Sequence, residues 1–323
     1  MLGQQVDLKQ FNYIRSADDL EQLRRALGYQ KLNLFALSYG TRAAQVFVRA
    51  HPDSVRTIYL GSVVPIDVTI PLPFNKAVAP ALERTFAACE SDKGCNAAFP
   101  HFRREFHQVL ARLGAEEVKV PVPGRKEPAP IAKGRVAEWI RSVLYRPSSA
   151  TGLPLAIHRA ARGNWSDIVD GILAQERNAN AELSFGLFFS ITCSGDVAFI
   201  RDSDIAALTD DAFLGDWRVR QQQAACRRWP TAAMPDHYRD PVTSPVPTLF
   251  VSGDSDPATP LWFTEHAARG FANRAEIVLK NRGHTEWNAC AAAAYERLVS
   301  TGMTEGLSAA ACRDDPRPPF KHG

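Results

Sequence analysis

The stretch Lys31-Leu-Asn-Leu-Phe-Ala-Leu-Ser-Tyr-Gly-Thr-Arg-Ala-Ala-Gln-Val-Phe-Val-Arg-Ala50 decides how this chain is read. Lys31–Leu37 is a short, strongly apolar run of the kind that forms a buried strand. From Tyr39 to about Ala50 the apolar positions return at helical spacing. Ser38 stands at the joint, with the small residues Ala36 and Gly40 beside it. A sharp strand-to-helix turn of this kind lifts a serine hydroxyl clear of the backbone and tolerates only small close neighbours. The general form of such an elbow is G-x-S-x-G, and here Ala36 replaces the first glycine. The short match alone is equally consistent with Ser38 as a plain helix N-cap; the flanking strand and helix favour a nucleophile.

Working outward, Val55-Arg-Thr-Ile-Tyr-Leu60 reads as a second strand. Strand, helix and strand within about 30 residues make a parallel crossover, the building block of an α/β sheet. Upstream, Leu20, Leu23 and Leu27 mark a helix that Ser16 caps at its start and Gly28 at its end. Downstream, from Pro65 to Ser244, amphipathic helical patterns replace the strands, among them Phe102–Leu113, Gly134–Tyr145 and Leu155–Gln175. The proline-rich Val120–Pro130 reads as an exposed connecting loop. The α/β pattern returns with a strand at Pro247–Ser252, a helix at Thr264–Gly270, a strand at Ala275–Lys280 and a closing helix at Ala289–Ser300. The expected division is therefore 1–64, first part of an α/β core; 65–244, a helical cap; and 245–323, second part of the core.

Composition narrows the function. The 323 residues are 45% hydrophobic and 23% charged with a formal charge of +3, which excludes disorder and gives no field for nucleic acid or an acidic membrane surface. The longest apolar run, Leu183–Cys193, is about half of the roughly 20 residues a spanning helix needs. The first residues, Met1-Leu-Gly-Gln-Gln-Val-Asp7, have neither the basic start nor the apolar run of a secretory signal.

A serine nucleophile needs a base, and an imidazole base needs an orienting carboxylate. For a nucleophile on a strand-to-helix elbow these follow in the order acid, then base. Val251-Ser-Gly-Asp-Ser-Asp-Pro-Ala-Thr-Pro260 directly follows a strand and offers Asp254 and Asp256; Lys280-Asn-Arg-Gly-His-Thr-Glu286 follows the last strand and offers His284. Asp256 is assigned as the acid, because it lies further from the strand end and Pro257 fixes the turn beyond it. Asp254 is expected to cap that turn. His101, His107 and His158 have no further ligands at metal spacing, so no metal site is expected.

Together these segments resemble the α/β-hydrolase fold, and within it the tripeptidyl-aminopeptidase-like and proline-iminopeptidase-like serine hydrolases. The resemblance is carried by Leu37-Ser-Tyr-Gly-Thr-Arg42, His51-Pro-Asp-Ser-Val-Arg56, Cys226-Arg-Arg-Trp-Pro230, Gly253-Asp-Ser-Asp-Pro-Ala-Thr-Pro260 and Gly283-His284. It implies a mostly parallel sheet under a large helical cap, a Ser38–Asp256–His284 triad, and attack on a small ester or a short peptide with no cofactor. It also implies bridges between Cys89 and Cys95, Cys193 and Cys226, and Cys290 and Cys312, against the alternative of six reduced buried thiols. With those bridges goes a periplasmic or secreted parent, although this chain carries no signal of its own.

The sequence departs from the family at three places. Ala36 adds a methyl in the elbow. Gly195 stands where aminopeptidase-like relatives carry a glutamate for the substrate's free ammonium group, leaving Asp196 either as its substitute or as a turn residue. The Tyr39 backbone N–H supplies one oxyanion donor, but the loop that should supply the second belongs to early strands that this sequence lacks, so the second donor is unknown and the fold is expected to be N-terminally shortened. Without those strands Lys31–Leu37 becomes an apolar sheet edge, expected either to pair with another copy or to be covered by residues 1–15. The leading expectation is a serine carboxylesterase for short-chain esters. The alternatives are an exo-aminopeptidase and a non-catalytic binding remnant.

Overall fold

The computed structural model describes residues 6–209, 212–308, 312 and 314–322. Its centre is a parallel sheet of β1 (Leu32–Leu37), β2 (Val55–Gly61), β5 (Thr248–Gly253) and β6 (Arg274–Leu279), in the order β1-β2-β5-β6. The two remaining strands, β3 (Lys119–Val120) and β4 (Ala129–Pro130), form a small antiparallel ladder of their own. That ladder closes the ends of the proline-rich segment expected to be plain loop. In the main sheet Leu37 lies opposite Gly61, Gly61 opposite Val251, and Gly253 opposite Leu279, so β1 ends level with β2 and β5 with β6, the second pair running two residues further. Loops leaving that end converge on one place, where an open parallel sheet forms its binding crevice.

The helices differ from the sequence reading in two instructive places. The helix before β1 spans Tyr13–Ala26 and is capped not by Ser16 but by Asn12, whose side chain accepts from the N–H groups of Ile14 and Arg15. Asn12 is as good a cap chemically and lies outside the apolar pattern, so periodicity alone placed the start too late. Gly28 does end it, at φ 73. The expected helix Leu155–Gln175 is two, Leu153–Ala161 and Ser166–Glu182. Between them Gly163 adopts φ 89, and Asn164 accepts from the Ser166 N–H, a stop-and-restart signal that the apolar spacing conceals.

Helices from Phe74 to Cys226 stack into a layer over the strand ends. This layer has its own apolar core, with Phe86, Phe106, Ile140, Leu153 and Ile157 excluded from solvent, separate from the cluster of Phe47, Ile58, Leu60 and Phe250 on the sheet. The last residues return to the cap rather than staying with the sheet. Phe320 is buried in the cap core and the Lys321 N–H donates to the Thr151 carbonyl. All three expected bridges are formed, Cys89–Cys95 and Cys193–Cys226 within the cap and Cys290–Cys312 between the closing helix and the tail. Among the described residues no helix is long and apolar enough to cross a membrane.

Among the described residues β1 is an edge strand. Its Phe35 is 46% exposed, stacked on Tyr59 at 4.7 Å between ring centroids and meeting Trp287 edge-on at 5.3 Å. Residues 6–15 do not cover it: they form a short turn at Leu8–Gln10 and then enter the first helix. Residues 1–5 lie outside the described part. We propose that this edge pairs between copies, so sedimentation velocity should show a concentration-dependent dimer. Only monomer, with β1 amides protected from exchange, would contradict it. Thiol titration in denaturant without reductant should find the six cysteines blocked; six reactive thiols would contradict the bridges.

Candidate active site

Ser38 caps the strand end with φ 49 and ψ −121, a conformation costly for a residue with a side chain. Its N–H donates to the Gly61 carbonyl at 2.9 Å, and its carbonyl accepts from the Thr41 N–H at 2.9 Å. The turn is thereby held from both sides. The neighbourhood has room for the family departure: a Cβ built on Gly40 would stand 4.0 Å from the Ala36 methyl, ordinary contact distance.

The structure brings the three sequence-predicted side chains together from the ends of three strands. His284 Nε2 lies 2.7 Å from Ser38 Oγ, and His284 Nδ1 lies 2.8 Å from Asp256 Oδ2. Asp256 is almost fully buried and takes every donor it can reach: the Ala258 and Thr259 N–H groups at 2.8 Å each and the Thr259 hydroxyl at 2.6 Å. Burial by itself would raise this carboxyl. The His284 ring and the Thr259 donors outweigh burial and hold it below the usual carboxylate range. A buried, ionised carboxylate beside Nδ1 fixes the ring so that Nε2 faces the serine. Asp254, the competing acid, closes the neighbouring loop by accepting from the Asn281 N–H at 2.9 Å.

His284 also depends on the cap. Its N–H donates to the Tyr145 carbonyl at 2.7 Å, and the Tyr145 ring meets the imidazole edge-on at 4.9 Å. The loop's other anchors are the Ser62 hydroxyl, accepting from the Thr285 N–H at 2.8 Å, and Glu286, accepting from the Gly283 N–H at 2.6 Å. From the C-terminal tail, Asp315 bonds Arg282 and Asn288 at 2.8 Å each.

A pocket of about 420 Å³ opens over Ser38 and His284, walled mainly by Val64, Ile70, Phe74, Leu183, Leu187 and Phe188. Among the aromatic residues nearby, Phe188 is in the wall. Phe189 packs on Trp229, Trp217 crowds Gly134, and Trp262 lies against Phe263. Asp196 reaches the pocket already engaged: its Oδ1 lies 2.6 Å from Arg42 Nη1 and accepts from the Ile70 N–H at 2.9 Å. Arg42 also donates to the carbonyls of Pro65 and Val68, tying the loop after β2 to the elbow helix Tyr39–Ala50. Gly195 has no room for a longer residue, since a Cβ there would stand 2.6 Å from the buried Tyr238 hydroxyl. Neither position therefore offers an unpaired anion. The Tyr39 N–H, first in its helix, has no intrahelical acceptor. Among the described residues no three metal-ligating side chains converge.

Sequence reasoning missed Thr259, Arg42 and Tyr145. Thr259 lies three residues beyond the acid and Arg42 one helical turn beyond Ser38, spacings that could have suggested both. Tyr145 carries no such signal, because it arrives from the cap through tertiary folding.

A family model for TAP-like proteins matches residues 211–312. The chain is 26% identical over 312 residues to the putative hydrolase YuaR of Escherichia coli, covering 90% of this chain and 60% of that protein. It is 26% identical over 258 residues to the tripeptidyl aminopeptidase of Streptomyces lividans, covering 76% of this chain and 47% of that one. It is also 24% identical over 266 residues to the serine protease Hip1 of Mycobacterium tuberculosis, covering 76% and 51% respectively. The chain thus spans about half to three-fifths of the length of these curated relatives.

Gly283 is the tightest point of the His284 loop, since a Cβ there would run into the Tyr145 carbonyl. Gly283→Ala should cost about 1–3 kcal/mol of stability, the usual range for overpacking, read from the denaturant midpoint. An unchanged midpoint would show that the cap does not press on this loop.

Proposed function

We propose that this chain, a relative of the TAP-like α/β-hydrolases, is a serine carboxylesterase that cleaves small carboxylic esters through an acyl-enzyme. What carries the reading is the unbroken hydrogen-bond line from Asp256 through His284 to Ser38 at the floor of an apolar pocket. His284 Nε2 takes the Ser38 proton as Oγ attacks the ester carbonyl, and Asp256 stabilises the imidazolium that forms. The Tyr39 N–H donates to the tetrahedral oxyanion. The imidazolium then protonates the departing alkoxide, and a water activated by the same ring releases the acid.

The named activities of the relatives favour a second reading, an exo-aminopeptidase. Against it stands the absence, among the described residues lining the pocket, of an unpaired carboxylate for a free α-ammonium, with Asp196 held by Arg42 and no room at Gly195. The three disulfides suit an oxidising compartment, so we place the protein in the periplasm or outside the cell.

Parallel assays with p-nitrophenyl butyrate and aminoacyl-naphthylamides separate the readings. The ester is expected to be the better substrate, and Ser38→Ala should lower its kcat/KM at least about 10³-fold; the reverse preference would install the aminopeptidase. If neither substrate is turned over above the Ser38→Ala background, the chain is a binding remnant. For the active enzyme, Asp256 stays ionised through the mildly acidic range because its carboxyl is held low. Asp256 should therefore add no proton to the acid limb of kcat/KM. A two-proton limb would place Asp256 in the same titration and contradict that assignment.

A further inference from the structure

The pocket wall carries one charge that the reaction does not use. Arg42 and Asp196 face it as a mutually neutralised pair, side chains 3% and 4% exposed. Arg218, on the cap helix Trp217–Cys226, is different. Its Nη1 donates to Glu138 Oε2 at 2.9 Å and its Nε to Gln222 Oε1 at 3.2 Å, while its Nη2 has no partner among the described residues. Glu138 is not Arg218's alone. The same Oε2 accepts from Arg141 Nε at 3.1 Å and Nη2 at 3.0 Å. Two guanidinium groups thus share one carboxylate, which leaves a net charge of +1 on the cluster. Arg141 is sealed away, its side chain 5% exposed, with its remaining Nη1 on the Tyr145 hydroxyl at 2.6 Å. Arg218 is 30% exposed and is the member of the cluster that opens on the pocket.

We propose that Arg218 is a specificity-determining residue that receives a carboxylate carried by the substrate at a distance from its scissile ester. The inference deepens the esterase reading and rests on it for the location of the reacting carbonyl. One surplus charge and one unengaged guanidinium nitrogen match a monoanion better than a phosphate dianion, which calls for more donors. Phe74, Leu187 and Phe188, which line the same pocket as Arg218 and Ser38, suit an apolar spacer between the carboxylate and the ester. An ammonium group would meet the opposite: the surplus positive charge of Arg218 and, among the described residues lining the pocket, no unpaired acid. Substrate selection by charge therefore works against the free N-terminus of a peptide and toward the monoester of a dicarboxylic acid or an ester with an acidic leaving group.

Two matched pairs of esters test this on the full chain. p-Nitrophenyl hemiglutarate against p-nitrophenyl pentanoate places the carboxylate on the acyl side. 4-Carboxyphenyl butyrate against phenyl butyrate places it on the leaving group. In at least one pair the anionic ester should be favoured about tenfold or more in kcat/KM, mainly through KM. In Arg218→Met the anionic-to-neutral ratio should fall about 10–100-fold, the worth of one charge-assisted hydrogen bond. Arg218→Lys should recover part of that ratio, since it keeps the charge without the fork. Should Arg218→Met fail to fold, Arg218→Gln carries the same comparison. Calorimetric titration of Ser38→Ala with hemiglutarate and pentanoate esters measures binding without turnover, so the charge preference is read even where the hydrolase reading fails. A neutral ester preferred in both pairs, or a ratio that Arg218 variants leave unchanged, overturns the inference while leaving Ser38-dependent hydrolysis intact.

Discussion

The backbone at Ser38 is the constraint on which the rest of the molecule depends. A side-chain-bearing residue held at φ 49 persists only because the surroundings fix it: a strand ends on one side of it and a helix begins on the other. The Gly61 carbonyl receives its N–H, and Gly61 itself is tightly enclosed by Leu37 and Tyr59. Elbow and second strand are therefore set by one packing arrangement. Buried polar groups on the elbow helix extend it outward: Thr41 accepts from the Val64 N–H, and Gln45 donates to the Val64 carbonyl. The loop that becomes a pocket wall is thus positioned by the same helix that positions the nucleophile.

The second half of the site is assembled from greater distances. Asp256 and His284 follow strands β5 and β6 and reach the serine because those strands run parallel to β1 and β2 and end on the same side of the sheet. The imidazole then receives support from parts of the chain that sequence order keeps far apart. Tyr145 presses on it from the cap, and Asp315 from the tail holds Arg282 and Asn288 on either side of its loop. The cap is accordingly more than a cover: its backbone takes part in setting the ring that must move protons. Its own apolar core lets it carry a charged cluster on the pocket side without weakening the sheet beneath.

The residues that sequence made legible share one property, a local signal. Ser38 and His284 stand just past apolar strands, and Asp256 was separable from Asp254 by its distance from the strand end and by the following proline. The four main strands and the helical layer between β2 and β5 were likewise visible, because a change from short apolar runs to helical spacing is local. What stayed hidden was tertiary. The pairing of Asp196 with Arg42 joins residues 154 positions apart, and nothing near either one distinguishes a substrate anion from a buried ion pair. The Tyr238 hydroxyl that fills the space at Gly195, the Tyr145 carbonyl over the His284 loop and the return of Phe320 to the cap are of the same kind. Asn12 and Gly163 are the opposite case, local punctuation that apolar spacing overrode.

The central claim is that Ser38 is an activated nucleophile, and reaction with a fluorophosphonate tests it without presupposing a substrate. The fluorophosphonate should label the folded chain once, with the adduct mapped by mass spectrometry to the peptide containing Ser38. Labelling should be lost in His284→Ala. A folded chain that takes up no label, or that is labelled on another residue, would contradict the account.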